Sequence, residues 1–314
     1  MKSALLFPPL MTLKKGDFRE LYDHIPNVQR KFEVASDVLG IDLATQFFSE
    51  DEQIINTGII ARPSIVTITT ALYELLKEQL EGIDYFLGPS LGQVTAFHCS
   101  GCLDFKDTLN MVRTMCELEE MEFTKGMYSV YFFYNIDTRI LERSIYNLCQ
   151  KGYILEPCMH ATSNQMIVNG DFESLEKLNE EVREYGALAV KIPYGPPGHC
   201  SLLENVKEKF SKNFMPGIHL KKPITPLISN IDATEVFNVS KVAYDLAEQY
   251  TNSVKWYQSL QTLSQRGINR LFVLGPGNFV YKSLKFTDIP FEIVPLVTLA
   301  DVQGIVGGLQ GRGK

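Results

Sequence analysis

The chain has 314 residues, 45% hydrophobic and 21% charged, and its 30 basic and 37 acidic side chains leave a net charge of −7. That length holds one large α/β domain or two smaller ones, and buries enough surface to fold without disulfide or metal staples. The acidic balance argues against a nucleic-acid binder, and 11% aromatic content without a sustained heptad excludes a disordered chain or a coiled coil.

The first residues, Met1 to Phe7, form an apolar run stopped by Pro8-Pro9. That is too short for a signal-peptide core, and it reads as a first buried strand. No stretch is expected to reach the roughly 18 apolar residues that span a bilayer, so no membrane association is expected. Residues 59–80 carry apolar side chains at three- and four-residue spacing after a Pro-Ser start, the pattern of a buried amphipathic helix. Residues 82–88 form a short apolar run between glycines, a strand that feeds into Pro89-Ser90-Leu91-Gly92 and another helical stretch.

The middle of the chain reads as strand 127–133, helix 138–151, strands 154–160 and 165–169, helix 172–185 and strand 187–192. This β-α-β-β-α-β order is ferredoxin-like. It predicts a small subdomain over 126–192, inserted into a large α/β domain made of 1–125 and 193–314. Helices follow at 205–210, 242–249 and 253–265, and Leu271-Phe-Val-Leu is a strand entering a Gly-Pro-Gly turn. The Gly-rich tail from Gly307 onward is expected to fray.

Six cysteines are spread between Cys99 and Cys200. Cys99 and Cys102 make a C-x-x-C, but no second pair or His-x-x-x-His completes a zinc site. Reduced, buried thiols in a cytoplasmic protein without a bound metal are the expectation.

Gly88-Pro-Ser-Leu-Gly92 fits G-x-S-x-G between a strand and a helix, the pattern of a nucleophile elbow. Small residues are needed at both ends, because a serine on so sharp a turn brings its flanks against neighbouring elements. The helix that follows points free backbone N–H groups at the site, with Leu91 as the candidate oxyanion donor. The pattern also suits a merely structural turn serine. A serine nucleophile needs a base. His24, His98, His160 and His219 read as surface or core residues, whereas His199 follows a stiff Gly-Pro-Pro-Gly turn in a loop.

Residues 88–107, beginning Gly88-Pro-Ser-Leu-Gly-Gln, resemble the elbow and following helix of malonyl-CoA:acyl-carrier-protein transacylases. Gly198-His-Cys-Ser-Leu-Leu203 resembles the family's histidine motif. Pro226-Leu-Ile-Ser-Asn230, Asn252-Ser-Val-Lys-Trp256 and Leu274-Gly-Pro-Gly277 resemble three further blocks in the same order. The resemblance implies the acyltransferase fold: a large α/β-hydrolase-like domain around a parallel sheet, with the ferredoxin-like insert. It also implies a ping-pong Ser90–His199 dyad without a bound cofactor, working on a phosphopantetheine thioester of a carrier protein or on acyl-CoA. A backbone carbonyl orients the family's histidine, and the matching position is Gln249. The imidazolium formed on proton transfer would need such an acceptor at its other nitrogen.

Three departures bear on function. The residue before the serine, usually histidine in the family, is Pro89. The family's oxyanion-hole glutamine has become Leu10, so the second donor is expected from the backbone at Leu10 or Met11. The family's carboxylate-clamping arginine falls, counting without gaps, on Met115, and Arg113 lies about 200° around the helix from it. A guanidinium fork recognises carboxylates and a thioether recognises apolar surface. The expectation is therefore a discrete acyltransferase of polyketide or mixed peptide–polyketide biosynthesis that does not prefer malonyl. An editing acyl hydrolase of the same fold, a catalytically silent carrier-binding scaffold and a generic α/β-hydrolase are the alternatives. The last would place an acid between serine and histidine and predicts no ferredoxin-like insert. Lys207, Lys209, Lys212, Lys221 and Lys222 are candidates for a basic patch facing an acidic carrier protein, with a merely solvated helix face as the other reading.

Overall fold

The computed structural model describes residues 2–80, 82–123, 127–192 and 197–307. Ten strands occur among them: Ser3–Leu6 (β1), Tyr85–Leu87 (β2), Tyr128–Tyr134 (β3), Leu155–Thr162 (β4), Gln165–Asp171 (β5), Leu188–Ile192 (β6), Leu227–Ile228 (β7), Glu235–Val236 (β8), Arg270–Leu274 (β9) and Glu292–Leu296 (β10). They build two sheets, ordered β10-β9-β1-β2-β7-β8 and β4-β5-β3-β6. In the first, β10, β9, β1, β2 and β7 run parallel, and β8 closes the far edge as an antiparallel hairpin partner.

Parallel strands covered on both faces are apolar on both faces, and β1 is. Leu5 and the following Phe7 point into one core with the helices of the N-terminal half, whereas Ala4 and Leu6 point into a second core with Trp256 and Leu260. Leu5 sits in register with Phe86 and Phe272, at the middle of the sheet.

The helix Gly58–Leu76 runs through the first core. It begins before the expected Pro-Ser start, with Thr57 as N-cap and Pro63 inside it. Nor is it amphipathic: every residue from Pro63 to Leu72 is buried, as expected of a helix covered on all sides. By length and apolarity it could cross a membrane, contrary to the sequence expectation, yet 72% of its apolar window is buried inside the protein. The helix Pro26–Leu39 before it was not predicted from the sequence. That helix supplies Val28, Phe32 and Ala35 to the same core.

The second sheet is antiparallel throughout, with its two long helices, Thr138–Cys149 and Phe172–Val182, on one face. Alternation along β3 decides what each face does. Tyr131 and Phe133 enter a third core with Leu141, Leu148, Leu175 and Leu178. Val130 and the partly buried Phe132 turn the other way, towards Leu6 and Leu87 of the large sheet and Trp256 of the helix Trp256–Gln265. The two layers are also stitched by backbone: His160 N–H donates to Val254 O at 2.9 Å and Val254 N–H to Cys158 O at 2.8 Å. His160 therefore lies in a buried strand, as a core residue. The glycine-rich tail falls outside the described residues from 308 onward.

The elbow helix, Leu91–Cys99, crosses the end of β1 at close quarters. A Cβ on Gly92 would stand 2.6 Å from the Phe7 carbonyl oxygen. Gly92→Ala is therefore expected to push the elbow off the sheet and lower Tm by several degrees in thermal unfolding, whereas an unchanged Tm would show that the contact relaxes freely.

Candidate active site

β2 ends at Leu87 and the elbow helix starts at Leu91, which leaves Gly88-Pro89-Ser90 to reverse the chain. A Cβ on Gly88 would meet the Gly92 backbone carbon at 2.5 Å, so glycine is required there. Ser90 itself takes φ 55° and ψ −118°, a conformation costly for any residue with a side chain. Pro89 does not prevent this turn: its fixed φ is accommodated, and its carbonyl accepts from Gly92 N–H at 2.9 Å.

The strained turn presents the Ser90 hydroxyl to His199. Ser90 Oγ lies 2.8 Å from His199 Nε2, and His199 Nδ1 lies 2.7 Å from the carbonyl oxygen of Gln249. A carbonyl can only accept, so Nδ1 carries the proton and Nε2 is free to accept the serine O–H. The carbonyl is available because Gln249 caps the helix Val239–Glu248, where the last carbonyls have no partner one turn on. Burial pulls the His199 pKa down to about 4; the bond to Gln249 works in the opposite direction, and the nearby Arg62 charge adds to the depression. The imidazole is neutral at pH 7 as a result.

Residues that sequence reasoning missed hold this histidine in place. Asn169 on β5 grips Gly198 from both sides: its Nδ2 donates to Gly198 O at 2.8 Å, and Gly198 N–H donates to its Oδ1 at 3.1 Å. Glu156 on β4 accepts from Ser201 N–H at 2.9 Å, and Cys200 N–H donates to Tyr250 O at 3.0 Å. His199, with φ 58°, is thus pinned between the two sheets. The one sequence signal was the polar Asn169 directly after the apolar run Met166-Ile-Val168. The Tyr194 to Pro196 part of the stiff turn lies outside the described residues.

Ser90 and His199 open onto a cavity of about 460 Å³ between the two layers. Its walls include Leu10, Leu91, Met115, Phe132, Ile167 and Tyr250. The N–H groups of Leu10, Met11 and Leu91 donate to no described residue, so the backbone candidates for oxyanion donors all remain open. The segment bearing Leu10 is fixed further on by Asn56, which exchanges two 2.8 Å bonds with the backbone of Leu13. Met115 reaches the cavity from the helix Phe105–Glu122, separated from the elbow helix by a break at Ser100-Gly101. Arg113 faces away, bonded to Asn110 Oδ1 at 3.0 Å and to Leu39 O at 3.3 Å. An arginine nevertheless lines the cavity: Arg62, from the buried helix, paired with Glu119.

The other quoted blocks build the scaffold. Asn230 N–H donates to Gln93 Oε1 of the elbow helix at 2.6 Å, and Lys255 N–H donates to Asn230 O at 2.7 Å. Gly277 leaves room for the Met11 side chain. All six cysteines are unpaired, and burial raises the thiol pKa of Cys102 to about 12.

No protein-family model matches the chain. Among curated proteins it is 26% identical over 277 residues to the malonyl CoA-acyl carrier protein transacylase of Bacillus subtilis, covering 88% of this chain and 87% of that one. It is 24% identical over 279 residues to the Escherichia coli protein of the same name, covering 87% and 89%. Among solved structures, a malonyl-transacylase in complex with a type II polyketide acyl-carrier protein superposes with a TM-score of 0.92 at 23% identity, over 98% of this chain and 100% of that one. The acyl carrier protein S-malonyltransferase of Vibrio cholerae gives 0.90 at 22% identity, over 97% and 100%. The fold is the acyltransferase α/β fold.

Ser90 should react with a fluorophosphonate at a rate that stays flat from pH 8 to 6 and drops only as pH nears about 4, where His199 gains its proton. A drop centred near 6.5 would contradict the neutral, enclosed imidazole. Asn169→Ala should slow the same labelling about 10- to 100-fold through a loosened His199, with Tm shifted by only a few degrees.

Proposed function

We propose that this chain, similar in sequence and fold to the malonyl-CoA:acyl-carrier-protein transacylases, is a discrete acyltransferase that passes an acyl group through Ser90 to a carrier-protein thiol. The observation that carries the reading is the 2.8 Å contact of Ser90 Oγ with a His199 nitrogen whose opposite N–H is engaged by Gln249. In the acylation step His199 Nε2 takes the serine proton as Oγ attacks a thioester carbonyl. The oxyanion that forms is met by the N–H groups of Leu91 and Leu10. Collapse breaks the C–S bond, and the leaving sulfur takes the proton from the imidazolium. A phosphopantetheine thiol then enters, gives its proton to His199 and attacks the acyl-serine carbonyl; collapse breaks the C–Oγ bond, and Ser90 leaves with the proton from the imidazolium.

The acyl group is neutral on this reading. The cavity walls beside Ser90 are largely apolar, and Met115 stands where the resemblance places the family's carboxylate-binding arginine. A setting in polyketide or mixed peptide–polyketide biosynthesis, in the cytoplasm, suits a transferase that does not load malonyl. Docking of an acidic carrier protein falls to few charges. Lys207 pairs with Glu204 and Glu248, Lys209 with Glu122 and Lys212 with Glu208, each within 3.3 Å. Lys221 and Lys222 are exposed and remain the better candidates of the five.

Intact-mass analysis after incubation with a panel of acyl thioesters tests the proposal. Acetyl or longer neutral acyl groups should appear on the wild type, vanish in Ser90→Ala, and pass to a second carrier protein. Release as free acid without transfer would instead mark a hydrolase, and rapid malonyl loading would overturn the specificity.

A further inference from the structure

The cavity that receives the acyl group contains its own ion pair. Arg62 comes from the buried helix Gly58–Leu76 and Glu119 from the helix Phe105–Glu122, one turn beyond Met115. The guanidinium meets the carboxylate through both of its terminal nitrogens: Nη1 donates to Oε1 at 3.1 Å and Nη2 donates to Oε2. Both side chains are largely enclosed, with 16% and 11% of their side-chain surface exposed. Both also line the cavity that Ser90 and His199 share, and Arg62 is near enough for its charge to act on His199. Burial by itself would lower the Arg62 pKa, and Glu119 reverses the effect and holds it above its ordinary value. The buried hydroxyl of Tyr250, in the same wall, has no partner among the described residues.

A bidentate guanidinium–carboxylate pair is the arrangement by which an arginine recognises a carboxylated ligand. Here a side chain of the protein occupies the fork. We propose that Glu119 is a specificity-determining residue: its carboxylate fills the place on Arg62 that a carboxylated acyl group would take, and so restricts the cavity to neutral acyl chains. An incoming malonyl carboxylate must displace Glu119 and leave it buried without a partner, which is strongly unfavourable. A neutral chain leaves the pair intact. Rejection of malonyl then has two origins, the thioether at Met115 and the blocked guanidinium at Arg62. The inference rests on the acyl-serine reading given above.

Competitive loading of Ser90 from an equimolar mixture of acetyl-, malonyl- and β-alanyl-thioesters, read by intact mass, tests it. The wild type should load acetyl and little of either charged group. Glu119→Gln frees the guanidinium and should raise the malonyl-to-acetyl ratio at least about tenfold. Arg62→Gln frees the carboxylate and should raise the ratio for β-alanyl, whose ammonium it can pair, by a similar factor. Removing both charges in an Arg62→Met/Glu119→Met variant should raise neither. The inference fails if the wild type loads malonyl as readily as acetyl, or if either folded single variant keeps the wild-type ratios. A wild type that acquires no acyl group at all would overturn the acyl-serine reading instead, so the two failures are distinguishable. If Glu119→Gln does not fold, the Arg62→Gln arm and the wild-type ratios still decide.

Discussion

The 2.7 Å hydrogen bond from His199 Nδ1 to the Gln249 carbonyl fixes which ring nitrogen is left to face Ser90. With the proton held on Nδ1, Nε2 must be an acceptor, and it lies 2.8 Å from the serine oxygen. Much of the architecture around the site serves to keep this bond in place. The helix Val239–Glu248 ends where it does so that one of its terminal carbonyls is free. The small sheet reaches across with Asn169 and Glu156 to hold the residues on either side of His199. The large sheet contributes β2 and the glycine-flanked elbow that lift Ser90 towards it. The four-stranded sheet is therefore part of the site, since two of its strands hold the loop that bears the histidine.

Burial works in the same direction. An imidazole with a pKa near 6.5 would be partly charged at neutral pH, and a charged ring cannot accept a proton. Enclosure and the Arg62 charge move it well below that range, at the expense of basicity. Arg62 is itself tolerable in so enclosed a cavity because Glu119 neutralises it. The ion pair and the Ser90–His199 contact are thus parts of one electrostatic arrangement, in which Glu119 neutralises the arginine whose charge acts on the histidine.

The elbow was legible in the sequence because its demands are local: two glycines, a serine and a helix start within five residues. The strand and helix order of the small sheet was legible for a similar reason, since alternation in β3 and β5 and the 3.6-residue period of their helices need no knowledge of distant partners. The N-terminal half was harder to read. The helix Gly58–Leu76 looked amphipathic but is buried all round, and its Pro63 marks an interior turn rather than a start. Least legible were long-range pairings: Asn169 with Gly198, Asn56 with Leu13, and Arg62 with Glu119, which lie 57 positions apart. No local pattern announces a carboxylate that will meet a guanidinium from another helix. Counting to Met115 pointed to a residue that lines the cavity, yet it could not show that an arginine from another helix stood in the same cavity.

The most direct test of the central claim is nitrogen NMR of the histidine side chains in the intact protein, with His199→Asn used to assign the ring. The account predicts a neutral imidazole protonated at Nδ1, with Nε2 showing a hydrogen-bonded acceptor shift, and no titration between pH 8 and 6. An imidazolium at pH 6, or a ring protonated at Nε2, would contradict it.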